Sequence, residues 1–343
     1  MAIRKFGEYI TVIGIALLMA LTSRLDLRSE EIGTKVDVDR YPLYPQGADL
    51  AVSGLAYDPK EDIYWATSDR GAGDGKDAMF QPRIYQIKKV DQVFVVTKVI
   101  PLVNEDGTPA RGFAEDPKRI DPEGVTLAPD GTLWMVDEYG PYIIRVSREG
   151  RILERTLPPS PFKERKHNQG FEGVTFSPDG KTLFAALQSS PQGATNTNRT
   201  YIAAMDIESK TFRTFAYDLT DPKSLDYPPG VKAAIGINAL ETIDDHTLLV
   251  IERDNQVGEN ARVKRIYLVD LNGADNNTPV RKTLYADLYA LGYRMEKPEG
   301  LAIRDEKTVV VINDNDAVPG SPTEVWVLQT DLPLSSQLAA RGK

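Results

Sequence analysis

The chain has 343 residues, 41% hydrophobic and 27% charged, and 50 acidic residues outweigh 41 basic ones to give a formal charge of −9. That balance excludes nucleic acid as the main partner, because a phosphate backbone is gripped by an excess of Lys and Arg. The absence of cysteine excludes disulfides, thiolate metal sites and cysteine nucleophiles, and two histidines, His167 and His246, are too few for a histidine-rich zinc centre.

The first predicted element is a targeting segment. Arg4 and Lys5 precede an apolar run from Tyr9 to Leu21, and polar residues resume at Thr22. That is the layout of a signal peptide. The run is shorter than the roughly 20 residues a helix needs to span a bilayer, so residues 1–23 read as an exported leader or, failing cleavage, an amino-terminal anchor. The protein is expected outside the cytoplasm, periplasmic or secreted, with no other membrane contact. Residues 24–33 read as a linker, 34–332 as the folded domain and 333–343 as a tail.

From Ser53 onward one pattern recurs: an apolar strand opening beside a Gly, a turn rich in Asp, Pro and Gly, then a second apolar strand ending in acidic or amide residues. It starts at Ser53-Gly54-Leu55, Glu123-Gly124-Val125, Glu172-Gly173-Val174, a degenerate Asn238 and Glu299-Gly300-Leu301. The paired strands read as hairpins because Pro-Asp-Gly, as at 129–131 and 178–180, supplies the turn: proline presets φ, aspartate caps locally and glycine accepts positive φ. Third strands are predicted at 83–88, 142–147, 201–207, 265–271 and 324–329, and fourth strands at 94–100, 152–157, 212–217 and 280–286. The fifth unit lacks a fourth strand. Lys35 to Tyr41, with alternating Val36 and Val38, is predicted to supply it from the opposite end of the chain.

The fold class is therefore all-β, a β-propeller of five countable four-stranded units whose ring is closed by an amino-terminal strand. The first interval, at 70 residues, leaves room for a sixth blade. Trp65, Trp134 and Trp326 lie inside strands and are expected in the core.

In a propeller the innermost strands line the central channel, so residues at one phase of the repeat converge. That phase holds Ser53, Glu123, Glu172, Asn238 and Glu299. Second strands end at Asp69, Asp137-Glu138, Gln188, Glu252 with Asp254, and Asp314 with Asp316. Crowded carboxylates must hold protons or share a cation. An all-oxygen ligand set in adaptable loops suits Ca2+ better than Mg2+, and neither zinc nor copper. Asp137, Glu138, Glu252, Asp254, Asp314 and Asp316 are the expected metal ligands, while Arg70, Arg253 and Lys297 beside them are placed to grip an anionic substrate. Arg199 lies beside an acidic position too, and His167 is the histidine nearest the predicted mouth.

The stretches NQGFEGVTFSPDGKTLFAALQSS, DPEGVTLAPDGTLWMVDEYGP, LLVIERD and the terminal PEGLA with NDND resemble the phytase-like family, described as the esterase-like activity of phytase. The resemblance covers about residues 50–330 and implies a secreted or periplasmic propeller that hydrolyses phosphoric or carboxylic esters with calcium. The matching positions are Glu123, Asp137, Glu138, Glu172, Glu252, Arg253, Asp254, Glu299, Asp314 and Asp316. On this reading the partner is a small-molecule ester, phosphate-bearing or not, and Glu172, Glu123 and Glu299 carry the catalysis. No G-x-S-x-G elbow is present, which disfavours a serine hydrolase. A metal-dependent lactonase and a calcium-stabilised binding propeller are the alternatives.

Overall fold

The computed structural model describes residues 25–28, 35–46, 50–71, 75–316 and 321–335; the leader and the end of the tail lie outside them. Two strands precede the repeats, β1 (Leu25–Arg28) and β2 (Lys35–Tyr44). Blade 1 is β3 (Leu55–Asp58), β4 (Ile63–Thr67), β5 (Arg83–Val90) and β6 (Val93–Pro101). Blade 2 is β7 (Pro122–Leu127), β8 (Leu133–Asp137), β9 (Ile143–Val146) and β10 (Ile152–Thr156). Blade 3 is β11 (Phe171–Phe176), β12 (Thr182–Leu187), β13 (Arg199–Asp206) and β14 (Phe212–Asp218). Blade 4 is β15 (Ile235–Asp244), β16 (Thr247–Asp254), β17 (Lys264–Asp270) and β18 (Arg281–Asp287). Blade 5 is β19 (Lys297–Asp305), β20 (Thr308–Asp314) and β21 (Glu324–Thr330), with β2 as its fourth strand.

The hairpin turns form as their sequence dictates. Asp130 and Asp179 accept the backbone N–H two residues on, at 2.9 and 3.0 Å, and Gly131 and Gly180 take positive φ of 84° and 71°. Alternating apolar residues then pack between blades, and all three tryptophans are buried, at 1 to 3% exposure.

The ring closes where expected. β2 pairs antiparallel with β21 from Val36 opposite Thr330 to Pro42 opposite Glu324, then runs briefly parallel to β6 at Leu43 and Tyr44. Val36 and Val38 are buried against blade 4, and Tyr41 and Leu43, on the opposite face of the strand, against blade 1. The inner strands β3, β7, β11, β15 and β19 each touch the next, and β19 touches β3. β1 pairs with the outer edge of β2, within the stretch expected to be linker.

No sixth blade fills the long first interval. Residues 102–121 instead fold as a loop over blades 1 and 2, with Leu102, Ala110 and Ile120 buried against both and Val103 bridging to Arg151. That loop delivers Asp121 to the channel.

Candidate functional site

The repeat's Glu-Gly pair has a structural reason. A Cβ on Gly124 would sit 2.4 Å from the Glu172 carbonyl oxygen, and one on Gly173 would sit 2.6 Å from Leu240 N, so glycine lets neighbouring inner strands approach. The residue before it is the extra one in a β-bulge: register shifts fall between Pro122 and Gly124, Phe171 and Gly173, Ile237 and Ala239, and Pro298 and Gly300. Bulges re-aim side chains. Glu123, Glu172, Asn238 and Glu299 are the bulged residues, and all four line the cavity over the channel end.

A second tier comes from the ends of the second strands. The pairings put Glu138, Gln188, Arg253 and Asp314 in equivalent places, with Asp69 matching them in blade 1. Because successive strand residues face opposite sides, their neighbours point away from the channel. Asp137 accepts the N–H of Asp121 at 2.7 Å and of Gly140 at 2.6 Å. Glu252 accepts from Tyr217 at 2.7 Å, from Thr220 N at 3.0 Å and from Lys282. Asp254 accepts from Tyr227 and three backbone N–H groups and pairs with the buried Lys264. These three lie outside the cavity lining, their oxygens occupied by donors of the fold, so of the six expected metal ligands Asp137, Glu252 and Asp254 do not meet the others.

Glu138 and Asp316 do line the cavity, whereas Asp314 is buried behind its lining. The cavity measures about 500 Å³. Arg70, Arg253 and Lys297 all line it, each on an acid: Arg70 on Asp121 and Glu138, Arg253 on Glu299 at 3.1 Å, and Lys297 on Asp316 and, at 3.2 Å, Asp314. Arg199 is held by Asp218 outside it, and His167 is exposed and outside it. Lys166 and Asn168, on either side of His167, reach the lining in its place.

Asp121 was not anticipated. It stands two residues before Glu123, as Lys297 does before Glu299, and that shared phase is the signal that identifies it. The carboxylate oxygens of Asp121, Glu123 and Glu138 lie within 4.8 Å of one another, and all three residues are buried.

Acids outnumber cations, and their pKa values respond. Burial, with the charges of Asp121, Glu172, Glu138 and Glu299, holds Glu123 well above the usual carboxylate range. Burial and the charges of Glu138 and Glu299 do the same to Glu172, against the pull of Arg253 and Lys297. Glu138 rises to about 8 by burial and the charge of Asp121, opposed by Arg70. Asp69 rises to about 7 by burial and the charges of Asp314 and Asp121, across the seam where the ring closes.

Most of these acids have an internal donor. Gln188 donates to Glu172, and both Asn238 (3.3 Å) and Arg253 donate to Glu299. Glu123, at 8% exposure, receives none among the described residues. Two other members of the ring carry orphans: among the described residues the buried Ser53 hydroxyl and Asn238 Oδ1 have no partner. Three close carboxylates without thiol or imidazole, one of them with no ion pair of its own among the described residues, are a donor set that fits a hard divalent cation.

The sequence signature of the family described as "Phytase-like: Esterase-like activity of phytase" matches residues 50–317. A relative from Arthroderma benhamiae, named "Uncharacterized secreted protein", is 28% identical over 48% of this chain and 40% of its own, so the chain spans less than half that relative's length. Among solved structures, a gluconolactonase from Xanthomonas campestris aligns over 90% of this chain and 94% of its own at 12% identity and TM-score 0.41. A streptogramin B lyase aligns over 88% and 100% at 12% identity and TM-score 0.38. Likenesses of that size carry no argument about chemistry.

Proposed function

The chain belongs to the phytase-like family, and from that membership and the two-tier cavity we propose that it is a calcium-dependent hydrolase of phosphoric or carboxylic esters. The observation that carries this reading is Glu123, a buried carboxylate within 4.8 Å of those of Asp121 and Glu138 and with no donor of its own among the described residues. A buried charge without a partner is held only if a proton or a cation neutralises it.

Asp121, Glu123 and Glu138 would hold the cation. When bound, calcium would neutralise the crowded acids, polarise an ester oxygen and acidify a water at the cavity floor. Arg253 and Lys297 face the cavity from blades 4 and 5 and bind the anionic side of the ester. Glu172, next on the ring to Glu123, takes the proton from the attacking water. Its raised pKa makes it a strong base once ionised, and Gln188 orients it by donating to Oε1. Glu299, held by Arg253 and Asn238, keeps the arginine aimed into the cavity. No covalent nucleophile is needed.

The basic-apolar-polar order of residues 1–23 and the secreted relative support export of this chain.

The test is turnover of a panel of phosphate and carboxylic esters by wild type and Glu123→Gln. The variant should lose about 100-fold or more of the calcium-dependent rate while staying folded and, without calcium, at least as stable as wild type, since a crowded buried charge is gone. Equal calcium-dependent rates would remove Glu123 from the site.

A further inference from the structure

The Arg70 side chain stands where a cation is wanted. Its Nη1 contacts Asp121 and, at 3.1 Å, Glu138 Oε2, two of the three clustered acids, and its backbone N–H donates to Asp121 Oδ1 at 2.9 Å. The guanidinium packs over the Tyr139 ring at 5.6 Å, and the residue is only 7% exposed. Arg70 also lines the cavity. It therefore supplies the positive charge that Asp121 and Glu138 need, while Glu123, at the third corner, is left without one.

Two cations cannot hold the same carboxylate oxygens at full strength. An ion among Asp121, Glu123 and Glu138 competes with Arg70 for two of the same carboxylates, and its charge repels the guanidinium. Its neighbours offer the new direction: the cavity lies in front, and Tyr139 supports the planar group from one face. We propose that Arg70 is a displaceable counter-cation: it neutralises the acidic cluster when no metal is bound, and metal binding releases it into the cavity, where it becomes a specificity-determining contact for an anionic oxygen of the ester. This rests on the metal reading above and adds an order of events, since the anion contact forms only after the ion is seated.

Calcium alone is the probe. Calorimetric titration of the full chain should show Arg70→Gln binding calcium at least about tenfold tighter than wild type, because the internal competitor is gone, while Arg70→Lys, which keeps a charge but not the fork, falls between. In wild type labelled with 15N-arginine, the side-chain signal missing from Arg70→Lys should shift as calcium is added and saturate with the calorimetric curve. That arm needs no folded Gln variant. Equal or weaker calcium binding by Arg70→Gln, or an Arg70 signal unmoved at saturation, overturns the proposal and leaves the metal reading standing. Absence of calcium binding by every form overturns both.

Discussion

Arg253, at the end of β16, donates from Nη2 to Glu299 Oε1 at 3.1 Å and so ties blade 4 to blade 5 at the cavity floor. Both groups are buried, at side-chain exposures of 11% and 4%. Removing one partner of such a pair leaves a charge in a poor solvent. Arg253→Ala should therefore lose about 3–5 kcal/mol in urea unfolding, and Arg253→Ala combined with Glu299→Gln should recover part of it. A double variant no more stable than the single one would show that the pair is not what holds this seam.

Ring closure by β2 makes a second prediction. Val38, 1% exposed, packs with Trp326, Leu328 and Val309 in the cluster joining blades 4 and 5. Val38→Ala should cost about 2 kcal/mol, whereas Asp39→Asn at a half-buried position beside it should stay within about 0.5 kcal/mol. Equal, small effects in chemical denaturation would count against closure by this strand.

At the opposite end of the channel Glu241, on inner strand β15, accepts the Thr175 hydroxyl at 2.8 Å. Burial pushes its pKa up to about 7, against the donation from Thr175 and the Thr242 N–H. The sign follows: between about 4.5 and 7 the folded chain keeps a proton that the unfolded chain releases. Stability should fall as pH rises through that window and level off above it. Glu241→Gln keeps the shape and removes the charge, so the variant should gain roughly 1–3 kcal/mol on wild type at pH 8 and little at pH 4. Parallel unfolding curves across pH would refute the assignment.

Asp137 makes a fourth. Its carboxylate holds the Asp121 N–H and the turn at Gly140. Asp137→Ala should cost about 2–3 kcal/mol and loosen Asp121, lowering calcium affinity without removing a ligand. A variant that binds calcium as wild type does would break that link.

Much of this architecture is legible in the sequence because the turns and the alternation are local. Pro-Asp-Gly marks the hairpins, Val36 and Val38 mark the closing strand, and the Glu-Gly phase marks the inner ring. The site was harder to read at the second-strand ends. There the acids come in runs, Asp137-Glu138 and Glu252-Arg253-Asp254, and only the strand register decides which member faces the channel. Glu138 and Arg253 do; Asp137, Glu252 and Asp254 turn back into the fold. Asp121 is hidden for another reason: it belongs to a loop, residues 102–121, whose length in sequence is equally compatible with a further blade.

The most direct test of the account is one assay of purified wild type on phosphate and carboxylic esters, before and after exhaustive chelation and again after calcium is restored. Turnover should disappear with the chelator and return with calcium. Turnover indifferent to the chelator, or none on any ester in the panel with calcium present, would contradict it.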